Sequence, residues 1–101
     1  MKGYTYILMC ENGYYYTGST INLQKRLSEH WSGKGANFTK KYPPVALVYV
    51  EEHPHIGIAF KREKQLKKWS HDKKKALIEK DFVKLHELAA CQNTTHYLKN
   101  K

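Results

Sequence analysis

A chain of 101 residues has room for one domain with a modest core. Lys and Arg number 18 against 9 Asp and Glu, a formal charge of +9, which points to an anionic partner: phosphate backbones first, an anionic membrane surface as the competitor. No apolar run is long enough to span a membrane, no signal-peptide layout follows the short apolar stretch at residues 7–10, and Cys10 and Cys91 are too few for a disulfide framework, so a reduced, cytoplasmic protein is expected.

Residues 4–9 mix aromatic, β-branched and apolar side chains without clean alternation, which predicts a strand covered on both faces at the centre of a small sheet. Residues 14–18 are its hairpin partner across Glu11-Asn12-Gly13. Two registers are open. A two-residue Asn-Gly turn pairs Glu11 with Tyr14 and sends Tyr6 and Tyr16 to opposite faces. A three-residue loop with Gly13 left-handed pairs Cys10 with Tyr14 and puts Tyr6, Leu8, Tyr16 and Gly18 on one face. Turn statistics slightly favour the first; a common site for the two tyrosines requires the second.

Residues 22–31 (NLQKRLSEHW) predict an amphipathic helix capped by Asn22 or Thr20, with Leu23, Leu27 and Trp31 as its buried stripe and Arg26 and His30 together beside it. Residues 32–44, rich in Gly, Lys and Pro, read as a loop, and residues 45–51 as a third strand broken by His53-Pro54-His55. Residues 56–69 predict a second helix, whose apolar Ile56, Ala59, Phe60 and Leu66 bracket Glu63. Ser70 caps a third helix with Ala76, Leu77 and Ile78 facing in. Beyond it, Asp81 starts a further helix with Phe82, Leu85, Leu88 and Ala89 as its stripe, or the third helix continues; the tail from Gln92 is polar. The expected architecture is one α/β domain over residues 1–80, a three-stranded, mainly antiparallel sheet flanked by helices, with residues 81–101 as a helical extension and tail.

Glu63 is the sharpest chemical signal. A carboxylate on an apolar stripe is costly unless it is ionised and paired or bound to a metal, and a salt bridge to Arg26 or a nearby lysine stands level with a functional role. Tyrosine is a favoured strand residue, so packing accounts for Tyr6 and Tyr16 taken alone. With a pKa of about 10, a phenol acts near neutrality only with a base or cation beside it, which His30 and Arg26 could supply. Arg26 is either a solvated helix residue or a planar clamp for a phosphate; His30 is either a half-buried surface residue or a base. His53 and His55 lack a third ligand for a metal site, and His71, His86 and His96 carry no specific signal. The Ser32-Gly33-Lys34-Gly35-Ala36 stretch lacks P-loop spacing; it is a flexible loop or a basic one that touches a nucleic-acid backbone through Lys34, Lys40 and Lys41. The lysines between positions 61 and 75 form a solvated face or a backbone-tracking patch.

As a set these residues resemble the GIY-YIG nuclease family. Tyr4-Thr5-Tyr6 stands where the first motif would be and Tyr16-Thr17-Gly18 where the second would be; Arg26, His30 and Glu63 match the remaining signature positions. The stretches SGKGANFTKKYP, LVYVE, AFKREKQLKKWS and KKKALI are similar to the small single-domain bacterial group of that family, and the likeness covers about residues 3–80. The departures are the altered motif letters, His71 where relatives tend to carry arginine, the His55-Ile56-Gly57 entry to the glutamate helix, and the lack of an asparagine counterpart near Trp69 and Ser70. The resemblance implies hydrolysis of a DNA phosphodiester. Glu63 would hold one divalent ion, Mg²⁺ or Mn²⁺. Tyr6 would take the proton of the attacking water, directly or with His30 behind it. Arg26 would clamp the phosphate and Tyr16 would orient water or phosphate. Gly18, Lys25, Lys34, Lys40, Lys41, Lys67 and Lys68 would meet the nucleic acid, expected to be branched, flapped or nicked DNA, with RNA still open and a protein partner to supply specificity. The alternatives are a nucleic-acid-binding module of the same fold that cuts poorly or not at all, and a small protein adaptor.

Overall fold

Strand β1 (Gly3–Cys10) lies at the centre of a three-stranded sheet, with β2 (Tyr15–Thr20) on one side and β3 (Pro44–His53) on the other, both antiparallel to it. Its central position explains its sequence: Tyr6, Ile7 and Leu8 are all fully buried, so polar residues cannot alternate there. This computed structural model describes residues 1–80. Contacts between Cα atoms divide the chain into one unit, Met1–Lys68, and a second that begins at Trp69. The extension expected over residues 81–101, with its Asp81 cap, lies outside the described residues. Among the described residues no helix is long and apolar enough to cross a membrane.

The hairpin takes the three-residue loop. Gly13 has φ +84°, its N–H donates to the Cys10 carbonyl, and the Cys10 N–H donates to the Tyr14 carbonyl. Tyr6 therefore pairs with Gly18 and Leu8 with Tyr16, all on one face. The left-handed Gly13 costs little because glycine has no Cβ to clash there. The register less favoured by turn statistics brings Tyr16 and Gly18 to the face of Tyr6 and Leu8, with Gly18 against the Tyr6 ring.

In the first unit, helix α1 (Leu23–Trp31) is capped by Asn22, whose Oδ1 accepts from the Lys25 N–H at 3.0 Å. Its buried residue is His30, while Trp31 is 48% exposed, which corrects the predicted stripe. Residues 37–41, expected to be loop, form a short helix α2 (Asn37–Lys41) whose Thr39 is buried. Five residues are too few to show a periodic pattern, so the Gly and Pro on either side decided the prediction. Helix α3 (Ile56–Lys67) buries Ala59, Glu63 and Leu66 and ends two residues before Trp69; its Phe60 is 49% exposed beneath the Lys64 ammonium, contrary to expectation.

Strand alternation sorts this unit into two sides. Thr5, Ser19, Tyr49, Glu51 and His53 occupy the α3 side. There Thr5 donates its hydroxyl to the Ala59 carbonyl at 2.8 Å, and Arg62 grips Glu51 with its Nε and Nη2. Tyr49 also donates to Glu51, so that burial pushes the Glu51 carboxyl up while these hydrogen bonds outweigh it and hold it below the usual range. Tyr6, Leu8, Tyr16 and Gly18 occupy the other side, against His30 of α1.

The second unit contains helix α4 (His71–Ile78), capped by Ser70 as predicted, with Ala76 and Leu77 buried. Lys73, placed by the sequence on a solvated face or a backbone-tracking patch, is only 7% exposed, and its ammonium lies 4.2 Å from the Trp69 ring centre. Its long stem is absorbed by an aromatic face, which a charge pattern alone does not reveal.

Candidate active site

Three side chains form a directional hydrogen-bond chain on the α1 side of the sheet. The Tyr6 hydroxyl lies 2.7 Å from His30 Nε2, His30 Nδ1 lies 2.8 Å from Thr39 Oγ1, and Thr39 donates its own proton to the Ala36 carbonyl at 3.0 Å. Because Thr39 spends its proton on Ala36, its oxygen must accept from His30 Nδ1–H. That fixes the tautomer: Nε2 carries the lone pair and accepts from Tyr6. Burial, reinforced by the Arg26 charge, lowers the His30 pKa to about 4, and burial with the neighbouring Tyr16 raises that of Tyr6 to about 12. Both rings are uncharged at neutral pH.

Gly18 makes the approach possible. A Cβ on Gly18 would stand 2.4 Å from the Tyr6 hydroxyl oxygen and 2.6 Å from Cζ, so the Tyr6 ring lies directly over the backbone of β2. Gly35, one of the glycines of the basic loop, is pressed in the same way against His30. Neither glycine marks a phosphate loop; both clear space for buried rings. Tyr16 completes the group, with its ring centre 6.5 Å from Tyr6 and 5.2 Å from His30.

Arg26, one turn before His30, donates to Glu29 at 2.9 Å; this hydrogen bond, against some burial, raises the Arg26 pKa. A hollow of about 300 Å³ beside it is lined by Thr20, Ile21, Asn22, Lys25, Arg26 and Glu29. A larger one, about 490 Å³, lies by Tyr4, Ile21, Leu23 and Leu27 and offers no charged group to a reaction.

Glu63 comes from the helix on the opposite side of the sheet. It reaches the edge of β2, where Ser19 donates its hydroxyl to Oε1 and Lys67 places its ammonium 2.7 Å from Oε2. The Lys67 ammonium also lies 6.0 Å from the Tyr16 ring centre, which links the carboxylate to the tyrosine side. The site therefore straddles the open edge of β2. The structure brings Tyr6, Tyr16 and His30 into contact, sets Arg26 one turn away, and joins Glu63 to them through Lys67. The expected salt bridge to Glu63 forms with Lys67 and not with Arg26. Sequence reasoning missed Thr39, Ser19 and Glu29, single polar residues whose importance comes only from what they touch. Lys25, Lys34, Lys40, Lys41, Lys67 and Lys68 are all exposed, whereas Gly18 is buried.

Among the described residues no three His, Cys, Asp or Glu side chains converge on a possible metal position. A closed cage is therefore absent there. The Glu63 carboxylate, flanked by the Ser19 hydroxyl and already neutralised by a cation, suits a hard ion held by one carboxylate, water and a substrate phosphate.

Residues 2–76 match the GIY-YIG catalytic domain family. A UPF0213 protein of Syntrophus aciditrophicus is 47% identical over 81 residues, which cover 79% of this chain and 93% of that protein. One from Streptococcus sanguinis is 44% identical over 77 residues, 76% of this chain and 88% of the other. The solution NMR structure of a UPF0213 protein from Bacillus halodurans, 35% identical, aligns with a TM-score of 0.52 over 94% of this chain and all of that one. The sequence match and the shared three-stranded fold agree, and the chain belongs to the GIY-YIG family of nuclease-type catalytic domains.

Proposed function

We propose that the protein is a metal-dependent endonuclease that hydrolyses DNA phosphodiesters, acting in the cytoplasm on branched, flapped or nicked DNA in a repair role. The observation that carries this reading is the Tyr6–His30–Thr39 chain, because it gives a phenol a neutral imidazole as its proton acceptor. A tyrosine with its pKa raised to about 12 is a weak base by itself. Coupled to Nε2, it passes its proton to His30 as its oxygen takes one from the attacking water. Thr39 accepts from Nδ1–H throughout, which keeps Nε2 turned toward Tyr6. Arg26 exchanges Glu29 for a phosphate oxygen, where its planar fork stabilises the charge that grows during transfer. Tyr16 orients the phosphate or the water.

Glu63 and Ser19 are the residues that would hold Mg²⁺ or Mn²⁺ in place of the Lys67 ammonium. When bound, the ion supplies positive charge against the scissile phosphate and the leaving oxygen. The exposed Lys25, Lys34, Lys40, Lys41, Lys67 and Lys68 track the backbone, and a protein partner supplies site selection.

A second reading, a nucleic-acid-binding module of this fold that does not cut, is favoured by one feature: Tyr6 is fully buried, while Arg26 and Glu63 are both held in ion pairs. Incubation with flapped, nicked and branched DNA in Mg²⁺ or Mn²⁺ separates the two. The nuclease reading predicts cleavage that falls by roughly 10²–10⁴ in Tyr6→Phe and Glu63→Gln, with binding retained. Equal trace cutting by wild type and both variants would leave the binding module.

A further inference from the structure

The ring contacts around Tyr16 continue away from the catalytic group. Phe38 of α2 stacks on Tyr16, with centres 6.0 Å apart and an interplanar angle of 24°, and on Tyr14 at 6.3 Å and 21°. Tyr42 closes the flank, 5.2 Å from Phe38 and 6.1 Å from Tyr14. The series starts at buried His30 and ends at Tyr14, which is 57% exposed. Burial does not explain that outer end, because a ring left more than half in water gains little from it. A cation stands beside the cluster: Lys41 of α2 is exposed, and its ammonium lies 5.3 Å from the Tyr42 ring centre.

An open aromatic face with a lysine alongside is the chemistry that recognises a single-stranded nucleotide, whose base stacks while its phosphate meets the cation. A base inside a duplex is stacked on both faces and offers none to the protein. Tyr14 stands two residues along the chain from Tyr16, roughly 7 Å at a strand's rise, so a base stacked there adjoins a phosphate at the catalytic group.

We propose that Tyr14, backed by Phe38 and Tyr42, is a stacking platform for an unpaired DNA base next to the scissile phosphate, with Lys41 on that nucleotide's phosphate. The position of the scissile phosphate rests on the nuclease reading; the platform itself is a binding site and is tested by binding. Its consequence is selectivity for flapped over fully paired nicked DNA.

The test uses the full chain carrying Glu63→Gln, without divalent metal. The probes are a flapped duplex with 2-aminopurine at its first unpaired position and a nicked duplex with no unpaired base. Binding of the flap should quench the fluorophore. Tyr14→Ala should remove the quenching and weaken flap binding by about tenfold, with nicked-duplex affinity unchanged, and Tyr14→Trp should restore both. Tyr14→Leu keeps an apolar contact with Phe38 but has no ring, so it should behave as Tyr14→Ala. Retained quenching in Tyr14→Leu, or equal weakening on both DNAs, overturns the platform and leaves the nuclease reading standing. Failure of the parent protein to bind either DNA overturns both. A flapped RNA strand that is quenched where the DNA strand is not overturns the DNA assignment.

Discussion

Tyr6 and His30 share one proton between two uncharged rings, and that choice has a measurable cost. The folded-state pKa of His30 is lowered to about 4, whereas an unfolded histidine titrates at about 6.5. As pH falls, the unfolded chain binds the proton first. The contribution is thus complete above about pH 6.5 and is lost progressively as pH falls to about 4, by roughly 3 kcal/mol in total. Around this imidazole stand Tyr6, Tyr16, Thr39, Arg26 and Glu29. Denaturant midpoints measured between pH 7.5 and 4.5 should fall in wild type and change far less in His30→Asn; parallel slopes would refute the assignment. Lys67 gives a second prediction at this scale. Its ammonium occupies the Glu63 oxygen that a metal ion would need. Lys67→Met should tighten Mn²⁺ binding by roughly twofold to tenfold, as expected for removing one exposed ion pair. Calorimetry with Mn²⁺ alone reads this directly, and unchanged or weaker affinity would show that the two cations do not compete.

At the scale of elements, the site depends on how β2 lies against β1. The Glu11-Asn12-Gly13 loop sets a register that places Gly18 opposite Tyr6, and only there can the ring cross the strand to meet His30. Tyr6 has no room to retreat, being fully buried and hydrogen-bonded. Gly18→Ala should therefore cost about 1–3 kcal/mol, the usual price of overpacking, and should abolish cleavage by displacing the Tyr6 hydroxyl. Melting and cleavage assays would check both, and a stable, active variant would mean that the ring can shift freely. Helix α3 is held to the other side of the sheet by Thr5 on Ala59 and by Arg62 on Glu51, contacts that position Glu63 at the β2 edge.

For the molecule as a whole, the charge of +9 determines how it meets its partner. Exposed lysines come from separate elements, Lys25 on α1, Lys40 and Lys41 on α2 and Lys67 on α3, so no helix alone carries the charge. Each lysine that neutralises a phosphate adds about one unit to the dependence of log affinity on log salt. Duplex affinity should fall steeply between 50 and 200 mM salt, and Lys40→Ala should lower the slope by about 1. Binding indifferent to salt would refute the nucleic-acid reading as a whole.

The sequence alone determined the elements with strong local signals. The lack of alternation over residues 4–9 placed β1 at the sheet's centre, Ser70 marked one helix start and Asn22 or Thr20 another, and Ala59 with Leu66 placed Glu63 on a buried stripe. It also held the side chains of the candidate site, because their residue types and order are a property of the chain. Tertiary structure alone decided the rest. Helix α2 was hidden because one turn has no periodicity, and Trp31 and Phe60 looked buried because hydropathy cannot say which face meets the sheet. The hairpin register was left open by turn chemistry and closed by the burial of Tyr6 beneath His30. Thr39, Ser19 and Glu29 had no sequence signal, since a lone hydroxyl or carboxylate acquires a role only from the partner that folding brings to it.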